Sequence, residues 1–137
     1  MDKVARNALA PLLLRLGLAV VFIFHGMGKV SPDKSWGTAW HPELSVALQA
    51  AVAWGEFLGG VALAIGFLTR LAALGIVGIM AGAIATVHWQ FGFPGPKGWE
   101  YNFVLITMAL AVALLGSGVL GLDYWLWPRK PEPAKSP

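Results

Sequence analysis

The chain has 137 residues, of which 57% are hydrophobic and only 12% charged, and its mean hydropathy is +0.66. A water-soluble domain of this size carries far more charge, so a bilayer is the solvent this composition fits. The net charge of +3 and pI near 9.5 do not indicate nucleic acid, because the basic residues stand at the ends of apolar runs and form no patch, and the absence of cysteine excludes thiol exchange, iron–sulfur ligation and thiolate zinc sites.

One membrane domain over residues 1–127 is expected, with helices at about 9–28, 44–68, 71–90 and 101–120. The first apolar run, from Leu9 to about Met27, is broken only by Arg15 and His25. Gly26-Met27-Gly28 has the small-x-small form of a signal-peptidase site, but further apolar spans follow and favour a retained anchor. The second run carries Glu56 and many glycines; only Thr69-Arg70 separates it from the third, which implies a tight helical hairpin. The loop with Pro94, Gly95, Pro96 and Gly98 excludes helix before the fourth run. Residues 128–137, rich in Pro and Lys, read as a disordered cytoplasmic tail.

Lys3, Arg6, Arg70, Arg129, Lys130 and Lys135 fall at one end of the spans, against Lys29, Lys34 and Lys97 at the other. The richer end reads as cytoplasmic, which places both termini there and makes the chain a multi-pass protein of a bacterial or archaeal cytoplasmic membrane. Trp36, Trp40, Trp89, Trp99, Trp125 and Trp127 sit at span ends, as an interfacial aromatic belt requires; Trp54 alone lies inside a span. The expected architecture is all-α, a four-helix transmembrane bundle. Close packing needs small residues, and Gly55 and Gly59 are expected to meet the face of Gly75, Gly78, Gly82 and Ala85.

Ionisable groups inside a bilayer cost at least ~2.5–3.5 kcal/mol each, so each needs an explanation. Arg15 is close enough to the end of its span to snorkel outward as an anchor. Glu56, 14 residues before Arg70, is too deep for that; protonation, pairing with His25 or Lys29, or service in a polar cavity all keep it inside the bundle. His25 and Lys29 stand one turn apart and share a face with Phe22. His88 is expected at the same depth, with Trp89 beside it, and Glu100, Tyr101 and Asn102 open the fourth span there. Three or four helices therefore aim polar groups at one outer-half pocket. The competing reading is that Glu56 only sets helix register. His41 reads as interfacial, and Glu100 suits a helix start by its charge alone.

The ordered motifs His25-Gly26-Met27-Gly28-Lys29, Glu56-Phe57-Leu58-Gly59-Gly60, Gly66-Phe67-Leu68-Thr69-Arg70, Gly98-Trp99-Glu100-Tyr101-Asn102, Gly116-Ser117-Gly118 and Asp123 resemble the DoxX family of small membrane proteins, from Arg15 to Asp123. Ser117 stands where a proline is frequent. The resemblance implies a four-helix membrane fold, and some relatives are subunits of thiosulfate:quinone oxidoreductases or belong to quinone-resistance systems. It makes quinone-linked redox the leading expectation: His25, His88 and Glu56 catalytic, with His25 and His88 donating hydrogen bonds to quinone carbonyls and Glu56 handling protons. Lys29, Trp89, Glu100, Tyr101 and Asn102 are then expected to bind substrate. No covalent cofactor is evident, so electrons are expected from a soluble or membrane redox partner, and a homo-oligomer is a further expectation. The alternatives are a non-catalytic scaffold that recruits a soluble redox enzyme, and a metal held by His25, His88 and Glu56 or Glu100. Transport fits less well, because four helices are few for alternating access and no internal repeat is visible.

Overall fold

A computed structural model describes residues 4–127; the expected tail at 128–137 lies outside the described residues. Helix formation begins with a π turn, Ala5–Leu9, that runs into α1, Ala10–Val30. Pro11 lies within this continuous helix and has no N–H to give the Asn7 carbonyl one turn before it, and that carbonyl accepts instead from the Val119 N–H at 3.1 Å. The continuous helix Ala5–Val30 is long enough to cross a hydrocarbon core. A 3-10 segment, Pro32–Gly37, leads through a loop to α2, Val46–Ile65, whose start is capped by the Ser45 hydroxyl accepting from the Leu48 N–H at 3.3 Å.

The hairpin between α2 and α3, Thr69–Ala83, is tight, but it turns at Gly66–Leu68 and not at Thr69-Arg70, which open α3. Gly66 ends α2 with φ of 72°, a left-handed conformation that glycine adopts without a Cβ penalty. The start of α3 is capped from 54 residues away: the two carboxylate oxygens of Asp123 accept the N–H groups of Leu68 at 2.7 Å and Thr69 at 2.8 Å. The third apolar run does not stay α-helical to residue 90; it loosens into a π turn, Ile84–His88, and a 3-10 turn, Trp89–Phe91. The fourth helix, α4, spans Glu100–Leu115 and is shorter than its apolar run, because Gly116 turns the chain at φ of 78°. A short α5, Leu122–Leu126, follows.

Four helices, α1 to α4, form the bundle, and no strand occurs among the described residues. Helix α1 packs chiefly on α2 and α3 chiefly on α4, and Leu18, Phe22, Leu63, Ile76 and Val112 fill the centre. Meanwhile Leu13, Phe24, Leu71 and Leu114 are 66 to 79% exposed. A soluble monomer rarely exposes contiguous apolar surface of this kind, whereas helices facing acyl chains need it. Both described ends of the chain lie together, since the Val119 N–H donates to the Asn7 carbonyl at 3.1 Å.

Two expectations about packing are corrected. Gly55 and Gly59 do face α3, where a Cβ would stand 3.0 Å and 3.8 Å from Ile79 and Ile76. Gly75, Gly78 and Gly82, however, have nothing within 4 Å of a Cβ position, so the α3 glycine stripe points away from the interface and bulky isoleucines make the contact. The closest helix approach is instead between α1 and α2: a Cβ on Gly26 would fall 2.5 Å from the Phe57 nitrogen, and one on Gly60 2.8 Å from the Ile23 nitrogen. Arg15 does not snorkel. It is fully buried, and its guanidinium donates to the carbonyls of Leu63 at 3.0 Å and Leu120 at 3.4 Å. Leu63 is in the last turn of α2, where carbonyls lack helical partners and the macrodipole is negative, so a cation is stabilised inside the protein there.

Candidate functional site

At the end of the bundle away from Arg15, polar side chains enter from every one of the four main helices or its extension. Helix α1 supplies His25 and Lys29, α2 supplies Glu56, the π turn after α3 supplies His88, and α4 supplies Tyr101 and Asn102. All six line one cavity of about 290 Å³. Phe22, Met80 and Leu105 form its apolar floor, and Gly95, Pro96 and Gly98 of the loop before α4 close its rim. The close approach at Gly26 and Gly60 matters here, because it brings the faces that bear Lys29 and Glu56 within reach of each other.

Glu56 is only 2% exposed and is ion-paired to the Lys29 ammonium, which is one of the partners the sequence left open. Lys29 also sits over the Trp40 ring, 4.8 Å from its centroid. Trp40 is held in turn by Gln49, whose side-chain oxygen accepts from the Trp40 backbone N–H at 2.9 Å and whose carbonyl accepts from the indole N–H at 3.0 Å. The cation is thus fixed between a buried carboxylate and an aromatic face.

The two imidazoles are oriented alike. His25 Nδ1 donates to the Val21 carbonyl and His88 Nδ1 to the Lys97 carbonyl, both at 2.8 Å. A carbonyl only accepts, so the proton of each neutral ring resides on Nδ1 and Nε2 carries a lone pair. Sequence reasoning assigned both rings as donors to a ligand carbonyl; in the neutral state they are acceptors, and they donate from Nε2 only after taking up a proton. Asn102, 6% exposed, donates one amide N–H to the Met80 sulfur at 3.4 Å, which leaves its second N–H and its carbonyl oxygen for other contacts.

Trp89 and Glu100 do not line the cavity. Trp89 is 67% exposed and stacks on Trp99 with centroids 6.0 Å apart, because His88 points inward and a helical step of ~100° turns its neighbour out. Glu100 is exposed, and its carboxylate accepts from the Gly95 N–H at 3.2 Å, which steadies the rim loop. Among the described residues no three His, Asp or Glu side chains gather closely enough to hold a metal ion. Met80, Leu105 and the Trp40 contact were not anticipated; in a span where nearly every residue is apolar, no local signal distinguishes a cavity wall from a lipid-facing position.

The DoxX family model matches residues 10–89, which include α1, α2, α3 and three of the polar cavity residues on α1 and α2 together with His88. The chain belongs to the DoxX family. It is also similar to a protein of Bacillus subtilis (strain 168) named "Putative oxidoreductase CatD", with 29% identity over 123 residues that cover 87% of this chain and 88% of that one. No solved structure matches the chain.

Proposed function

We propose that this DoxX protein is a membrane-embedded component of an oxidoreductase system and that its far-end cavity binds a single-ring quinone or the corresponding hydroquinone. The observation that carries this reading is the convergence of two imidazoles, a carboxylate–ammonium pair, a phenol and an amide on one small space with an apolar floor. Its volume supports a ligand of this size, since an apolar cavity of ~150 Å³ already accommodates benzene and the space here is about 290 Å³. The family and the name of the relative from Bacillus subtilis both support an oxidoreductase context.

A quinone supplies two-electron chemistry coupled to two protons. The residues of this chain are suited to the proton half. His25 and His88, each with Nε2 as an acceptor, take protons from ligand hydroxyls, and as imidazoliums return them to ligand oxygens. The Lys29–Glu56 pair maintains a fixed dipole beside them, and Phe22, Met80 and Leu105 exclude water from the ring. The chain has no cysteine for a thiol or iron–sulfur carrier, which supports a redox partner protein as the source of electrons. The excess of Lys and Arg at the end bearing Arg6 and Arg70 supports a cytoplasmic position for that end and an outer-half position for the cavity.

The structural reading, in which Lys29 and Glu56 only set helix register, is favoured by the completeness of their pairing. Titrating the purified protein with a substituted benzoquinone and its hydroquinone, followed by tryptophan fluorescence, separates the two. His88→Ala is expected to weaken hydroquinone binding by roughly 5- to 10-fold, the worth of about one hydrogen bond, with thermal stability little changed. Equal affinity of the folded variant and wild type would leave only the structural reading.

A further inference from the structure

A second cavity, larger than the first, lies at the opposite end of the bundle, beside the contact between Asn7 and Val119. Its volume is about 680 Å³, within the ~300–1,000 Å³ usual for ligand sites. We infer that it is a binding site for the headgroup and upper acyl chains of an anionic phospholipid, with Arg6 and Arg70 engaging the phosphate.

The charges point to an anion. Two guanidinium groups, Arg6 and Arg70, line the cavity. Each spends one donor on a described neighbour: Arg6 Nε on the Asn7 side-chain oxygen and Arg70 Nη2 on the Leu114 carbonyl, both at 3.3 Å. A guanidinium has five N–H donors in a planar fork that matches phosphate, and the remainder stay available to a ligand. The acid in the lining, Asp123, keeps its negative charge, but it is one against two guanidiniums, its oxygens turn to the N–H groups at the start of α3, and among the described residues it forms no ion pair with Arg6 or Arg70. The Leu114 bond also holds the Arg70 head against the cavity wall instead of leaving it to sweep through solvent.

The remaining walls point to a lipid and not to a free anion. Leu68, Leu71 and Leu114 line the cavity and are 43, 66 and 79% exposed, so the space opens sideways onto the apolar belt of the bundle. Tyr124 and Trp127, 47 and 57% exposed, form the side next to α5, and residues of this kind concentrate at headgroup depth. An anionic group flanked by hydrocarbon, at the boundary of the bilayer, is what such a space complements. The site is remote from the quinone cavity and does not rest on that assignment.

The test uses the full chain in nanodiscs and in micelles probed by native mass spectrometry, with dioleoyl phosphatidylglycerol, dioleoyl phosphatidylcholine and inorganic phosphate as separate probes. Phosphatidylglycerol is expected to be retained in preference to phosphatidylcholine. At the strength of attraction typical of a basic residue at an anionic surface, each arginine is worth roughly 5-fold, so R6Q/R70Q is expected to lower retention about 30-fold while R6K/R70K keeps most of it and Lys34→Gln, at the other end, changes nothing. If R6Q/R70Q does not fold, the wild-type salt dependence serves: retention of phosphatidylglycerol falls between low and high salt, and that of phosphatidylcholine does not. Equal retention of the two lipids, retention indifferent to both salt and the arginines, or displacement of phosphatidylglycerol by millimolar inorganic phosphate would each overturn the assignment.

Discussion

Replacing Gly26 by alanine tests the helix approach on which the quinone cavity depends. The new methyl carbon would lie 2.5 Å from the Phe57 nitrogen, 2.6 Å from its Cα and 2.6 Å from its Cβ, all belonging to the backbone or its first side-chain atom on α2. Ordinary contact begins near 3.4 Å, so α1 and α2 must part by about 1 Å, and no rotamer change relieves the clash. Overpacking costs ~1–3 kcal/mol, and a rigid backbone contact belongs at the upper end. For a chain of 137 residues this corresponds to a fall in Tm of about 10 °C, read by far-ultraviolet circular dichroism in micelles. Gly78→Ala is the matched control: nothing lies within 4 Å of its Cβ position, and the gain in helix propensity of ~0.5–1 kcal/mol makes it neutral or stabilising. A Gly26→Ala protein within about 2 °C of wild type, or a Gly78→Ala protein equally destabilised, would refute this account of which glycines carry the packing.

The ion pair across the same contact is expected to show strong coupling. Lys29→Gln leaves the Glu56 carboxylate, whose side chain is 3% exposed, without its cation, at a cost of about 3 kcal/mol, the low end for a buried pair because Lys29 is 22% exposed. In the double variant K29Q/E56Q about 2 kcal/mol of the summed loss should return, measured by the same thermal unfolding; strict additivity would show that the pair is not made. At the other end, Asp123→Ala removes the acceptor for two N–H groups at the start of α3 and is expected to cost ~1–2 kcal/mol. Hydrogen exchange at Leu68 and Thr69 should accelerate selectively, and unchanged protection at both would exclude the cap.

The bundle was legible in the sequence because hydrocarbon imposes its demands locally. A run of apolar residues long enough to span has its meaning in place, whatever lies opposite, whereas the end of α2 at Gly66 was not read from the sequence, where the helix was expected to run on to residue 68. The depth argument also identified Glu56 as an interior residue, since its own short side chain cannot reach water from that position. Which neighbour met it was not readable. His25 and Lys29 were equal candidates by spacing, and the choice of Lys29 follows from His25 Nδ1 turning back to Val21, a rotamer decision.

Chain composition and periodicity by themselves determined that this protein lives in a membrane, has four main helices and hides a carboxylate among them, because the cost of exposing a peptide group or a charge to lipid depends on each residue alone. Tertiary structure decided which glycines touch, that Arg15 is enclosed by the ends of α2 and the segment before α5, that Asp123 caps α3, and that Trp89 and Glu100 turn away from the cavity. Those outcomes depend on helix rotation and on partners up to 105 residues away, and a spacing rule within one helix contains no information about either.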